Sequence, residues 1–140
     1  MNLKTIFNDV NKSKDEKLEA VGEVRDSLDF ASVKREEAIV IINELIELII
    51  NNEDNNIKES ILGAMLDGYT SYDVEQEIDL EPIVNKIHIF NDECLGYVLT
   101  LLGWSGKEKY RELIVSFGDN KKLQEDVKEA LAELNHRVKK

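Results

Sequence analysis

Proline occurs once in this chain, at Pro82, and glycine seven times in 140 residues, so very little in the sequence interrupts a helix. Between polar turns, apolar residues recur every third or fourth position, the period of a helix face rather than the alternation of a strand. Capping signals mark where the helices begin. Ser13 stands three residues ahead of Glu16, a spacing at which each side chain satisfies a backbone N–H that the helix start leaves unpaired. Asn56 with Glu59 and Ser105 with Glu108 repeat it, and Ser32 and Asn91 precede two further apolar runs. Leu3, Ile6, Phe7 and Val10 suggest a short first helix, and Leu18, Val21, Val24 or Arg25, and Leu28 a stripe on the second. Pro82 falls where a proline's missing N–H costs little, opening a helix through Ile83, Ile87 and Phe90. Gly68 and Gly103 are expected to end helices, and Gly118 with Asp119 to close one and open the last. The run Ile39-Val-Ile-Ile is rich in β-branched residues and could form a strand. It lies, however, inside the longer segment 33–50, where Glu44 and Glu47 fall at helical spacing, so a helix is favoured, the most buried of the chain. The prediction is an all-α fold of about seven to eight helices in a single domain, residues 1–140.

Charge is the second constraint. The formal net charge is −11, and between Glu36 and Asn85 thirteen acids face Lys58 alone, while the remainder nets +1. Such a surplus repels phosphate backbones and attracts a basic partner, so nucleic acid is disfavoured as a direct ligand. The single cysteine, Cys94, can form no internal disulfide and offers no metal cluster, which fits a reducing compartment. The first residues lack the apolar core of an export signal, and the longest strictly apolar run is 38–42, so neither a leader nor a membrane span is expected and the cytoplasm is the expected location.

Four helices share one spacing: Leu18/Val21/Leu28, Ile57/Ile61/Met65, Leu95/Val98/Leu102 and Leu123/Val127/Leu131, with starts 39, 38 and 28 residues apart. Each follows another helical segment and a capped turn, so the unit reads as a helical hairpin that buries its face by stacking on its neighbours. Here the chain resembles the HEAT-repeat class of α-solenoids. The best local match is Asp126-Val-Lys-Glu-Ala-Leu-Ala-Glu-Leu134, with a weaker echo at Glu19-Ala-Val-Gly-Glu-Val-Arg25. The first-helix proline of that pattern is missing from most units.

The segment Asp73-Val-Glu-Gln-Glu-Ile-Asp-Leu-Glu81 places an acid at every odd position beside Tyr69 and Tyr72. Asp73, Glu75, Glu77, Asp79, Glu81 and the two tyrosines form either a docking surface for a basic partner or a solvated loop between repeats. Trp104, between Gly103 and Ser105, either joins that contact set or folds back over the end of the core. Asp73, Glu75 and Glu77 imitate the first ligands of a calcium loop, but Ile78 replaces the required glycine and Val84 the closing acid. No catalytic residue, cofactor-binding loop or metal site is assigned: His88 and His136 lack partners at dyad spacing, and Cys94 is flanked by Asp92 and Glu93, which oppose a thiolate.

Size, acidity and absence of chemistry make the chain similar by type to the small acidic immunity proteins that bacteria pair with delivered toxins. That resemblance implies a non-enzymatic inhibitor that neutralises a basic protein, such as a nuclease toxin, through its acidic middle third. The alternative is a HEAT-like adaptor or regulatory scaffold with an apolar partner groove. Some HEAT-like proteins are DNA glycosylases, but these need a basic concave face. The residues leave the partner and the oligomeric state open.

Overall fold

The computed structural model describes residues 3–138; Met1, Asn2, Lys139 and Lys140 lie outside the described residues. Among them there are eight α-helices and no strand, in the order α1 (Leu3–Asn8), α2 (Lys14–Asp29), α3 (Arg35–Ile50), α4 (Asn55–Ser71), α5 (Glu81–Asn85), α6 (Asp92–Trp104), α7 (Arg111–Ser116) and α8 (Gln124–Val138). Single 3-10 turns occur at Glu75–Glu77, Ile87–Ile89 and Glu108–Tyr110. The chain divides into two compact units, Met1–Ile89 and Phe90–Lys140.

In the first unit α2 runs along α4, and α3 packs on α4 and α5. The capping box that opens α2 is present: Ser13 Oγ accepts the Glu16 N–H at 3.1 Å and Glu16 accepts the Ser13 N–H at 3.2 Å. The Ser13 N–H above all, then Lys12 and the Ser13 hydroxyl, hold the Glu16 carboxyl below its ordinary range. Val21 and Leu28 of α2, Ile42, Leu45 and Ile49 of α3, and Ile61, Leu62 and Met65 of α4 are buried and form the core. Val10 is almost fully exposed and takes no part in α1.

Three start and stop signals act differently from the sequence expectation. Ser32 does not cap α3; its hydroxyl and its N–H both donate to the Ser27 carbonyl, closing α2 behind Ala31, which adopts a left-handed φ of 50°. Helix α3 therefore begins later, after Lys34, without a side-chain cap. Asp54 rather than Asn56 caps α4, its carboxylate accepting from the N–H groups of Asn56 and Ile57 at 2.9 and 3.0 Å. A charged acceptor at the positive end of the dipole outcompetes a neutral one two residues inside. Gly68 does not stop α4: a Cβ there would meet Ile42 Cδ1 at 2.8 Å, so the residue serves close approach to α3, and the helix runs on to Ser71. Lys58 is buried, and its ammonium donates to the Ile89 carbonyl at 2.7 Å.

In the second unit Asn91 caps α6 as expected, accepting from Cys94 N–H at 3.0 Å. Helix α6 lies along α8. Gly103 again packs rather than terminates: a Cβ would fall 2.6 Å from the Ala130 carbonyl oxygen. The stop comes from Gly106, at φ 68°. Ser105 and Glu108 form no capping box, because the Ser105 hydroxyl donates to Leu102 C=O at 2.6 Å and Glu108 holds Arg111 through bonds of 2.7 and 2.8 Å. The last helix opens at Gln124, beyond Gly118 and Asp119. No helix of the described residues is long and apolar enough to cross a membrane.

Candidate functional site

The acidic segment following α4 is built into the first unit more tightly than its composition suggests. Tyr69 is 4% exposed and Glu75 8%, so neither offers a contact surface; both correct the sequence expectation, because Tyr69 lies on the buried face of α4 and the turn Glu75–Glu77 folds Glu75 inward. The Tyr72 hydroxyl donates to the Val33 carbonyl at 2.6 Å and accepts the Val33 N–H at 3.3 Å. The Arg35 guanidinium donates to the Asp73 carbonyl at 2.6 and 3.1 Å and pairs with Glu77 at 2.9 Å, and Glu77 raises the Arg35 pKa further. The Asp79 carboxylate accepts the Glu81 N–H at 3.0 Å and so opens α5, with Glu81 half-buried. Asp73, Glu77 and Asp79 remain exposed. Tyr72 and Arg35 thus clamp this connection to the start of α3. Trp104 closes α6 in the second unit and is half-buried.

The middle-third acids are also met by bases from the first 35 residues. Lys4 pairs with Glu47 at 2.5 Å, Lys14 with Asp54 at 3.1 Å, Arg25 with Asp67 at 2.6 Å and Arg35 with Glu77 at 2.9 Å. Glu47 raises the Lys4 pKa through its hydrogen bond, and Asp54 is held low first by the Ile57 N–H and then by Lys14. The surplus is therefore a property of the whole first unit rather than of one stretch. Residues 1–89 contain twenty acids and nine bases, net −11, whereas residues 90–140 contain nine of each and net zero.

Beside α1, which packs on both α2 and α3, lies a groove of about 400 Å³ lined by Leu3 of α1, by Ala20, Glu23, Val24 and Ser27 of α2, by Val33, and by Ile41 and Glu44 of α3. Glu44 is held in place by accepting the Lys4 N–H at 3.2 Å. Shallower depressions adjoin it, one sharing Ala20 and Glu23 and including Glu19, another sharing Ile41 and including Glu36, Glu37 and Val40. Among the described residues, Glu19, Glu23, Glu36 and Glu37 are exposed and make no ion pair. Val40, 64% exposed, and Phe30, 77% exposed in the α2–α3 turn, add apolar surface to the same two helices. Sequence reasoning missed this surface. Its signal was the mixed stripe Ala20, Glu23, Val24, Ser27, one step around α2 from the buried Val21 and Leu28, together with an α3 apolar on more sides than one core can cover.

No group of three or more metal-ligating side chains occurs among the described residues; His88 and His136 are exposed and Cys94 is buried. No family model matches the chain, nor does any curated protein or solved structure.

Proposed function

We propose that this protein acts by binding a basic macromolecular partner, as an inhibitor or immunity-type chain whose first unit makes the contact; a nuclease toxin is the kind of partner meant. The observation that carries the reading is the confinement of the entire net charge of −11 to residues 1–89, with Glu19, Glu23, Glu36 and Glu37 outside any ion pair on α2 and α3. A field of one sign speeds encounter with an oppositely charged protein and repels nucleic acid, so a chain of this kind would cover a basic site without competing for its substrate. The reading moves the contact surface from the segment 69–81, which is clamped to α3, to the outer faces of α2 and α3.

The alternative, a HEAT-like adaptor with an apolar contact, draws on the apolar lining of the α2–α3 groove. Salt separates the two. With a purified basic partner, raising NaCl from about 50 to about 500 mM weakens an acid-driven complex by at least about tenfold and leaves an apolar one nearly unchanged. Reversing Glu19, Glu23, Glu36 and Glu37 to lysine abolishes binding under the first reading. Retention of affinity by that variant at low salt excludes it.

A further inference from the structure

We propose that the groove between α2 and α3 seats one face of a basic amphipathic helix, an inference that rests on the reading that the first unit receives a basic partner. The dimensions fit a helix. From Ala20 to Ser27 the lining advances seven residues along α2, about 10 Å, the length of two turns of a partner's apolar ridge. The walls favour a helix over an extended peptide, since α2 and α3 satisfy their backbone groups internally and present no edge on which a strand could form a ladder. A helix brings its backbone already bonded and needs only side-chain complementarity.

The lining sets the chemistry of that helix. Leu3, Ala20, Val24, Val33 and Ile41 supply an apolar lining, and a space of about 400 Å³ has room for leucine-sized side chains. Glu23 on α2 and Glu44 on α3 stand among these residues, one from each wall. An occupant that was apolar throughout would strip water from both carboxylates without replacing it, which is costly. Lysine or arginine flanking the apolar ridge satisfies them, and Glu19, Glu36 and Glu37 extend the same preference beyond the groove ends. A second copy of this chain is the wrong occupant, because it brings a first unit of net −11 against another of net −11.

The test uses the full chain and two synthetic peptides of about fourteen residues with the same leucine and lysine composition. One places leucines at helical spacing and the other scrambles them. At low salt the striped peptide binds about tenfold or more tightly than the scrambled one, and backbone amide shifts fall on residues 20–27 and 33–44. Val24→Arg removes the preference, while Val10→Arg, the same change at a fully solvated position of the same unit, keeps both affinities within about twofold. Equal binding of the two peptides, or shifts confined to residues 73–81, overturns the groove and leaves the acidic-surface reading standing. Absence of binding by either peptide overturns both. Should Val24→Arg lose its helical signal, the peptide comparison and the shift map on the unaltered chain decide alone.

Discussion

Replacing Gly103 with alanine is the sharpest test of the packing in the second unit. The added Cβ would sit 2.6 Å from the carbonyl oxygen of Ala130, 3.0 Å from its Cα and 3.1 Å from its carbonyl carbon. All three are backbone atoms of α8, so no rotamer change clears them. Ordinary contact begins at 3.4 Å, so α6 and α8 must part by about 0.8 Å along the seam that holds Val127, Ala130 and Leu134. A gap of that size forfeits roughly a quarter to a half of the dispersion energy across it, and overpacking of this kind costs about 1–3 kcal/mol. Alanine's helical advantage, at most about 1 kcal/mol, is reduced one residue from the end of α6, so the net loss is about 1–2 kcal/mol. Trp104 is the sole tryptophan and lies in this unit, so its fluorescence during urea unfolding reports the seam directly. The midpoint should fall by roughly 0.5–1 M. Gly22→Ala is the matched comparison: its Cβ meets nothing within 4 Å, and the variant should gain about 0.5–1 kcal/mol by circular dichroism. A Gly103→Ala midpoint equal to or above wild type would refute the close-contact reasoning.

Tyr72→Phe removes both bonds to Val33 and should cost about 0.5–1.5 kcal/mol, with faster amide exchange through residues 73–78; protection unchanged there would mean the clamp is not formed in solution. Ala31→Gly relieves a left-handed backbone and should raise stability by about 0.5–1 kcal/mol, whereas a loss would contradict the φ of 50°. The carboxyls of Asp54 and Glu16 are held below their unfolded pKa values, so each contributes stability above the ordinary carboxylate range, lost as pH falls through its folded pKa. Thermal melts should therefore show Asp54→Ala less stable than wild type at neutral pH, the difference shrinking below about pH 4; a difference constant with pH would exclude the charged cap.

What the sequence disclosed and what it concealed follow from range. The all-α class, the Ser13 box, the Asn91 cap and the Pro82 start are decided within four residues, and the chain's own spacing contains them. Ser32, Asn56 and Ser105 have the right spacing too, but the Ser27 carbonyl, the Asp54 carboxylate and the Leu102 carbonyl claim the same groups, and spacing alone does not rank competitors. Gly68 and Gly103 read as stops because a glycine's role depends on what faces it, here Ile42 and Ala130, which are far away in sequence. The acidic block misled for the same reason: Lys4, Lys14, Arg25 and Arg35 reach acids 40 to 43 residues onward, a pairing that only the fold discloses. The groove between α2 and α3 was hidden because its apolar residues are indistinguishable, by period, from those of the core beside it.

Lys58 has one more implication. It is the lone cation among the thirteen acids of the middle stretch, yet its amine points inward, onto the peptide group that ends the first unit. An amine-acylating reagent applied to the native protein should modify the solvent-facing lysines and pass this one over. Its labelling, read by mass spectrometry, then becomes a latch indicator: protection means that the turn at Ile87–Ile89 is fastened to α4, and modification means that it has come undone.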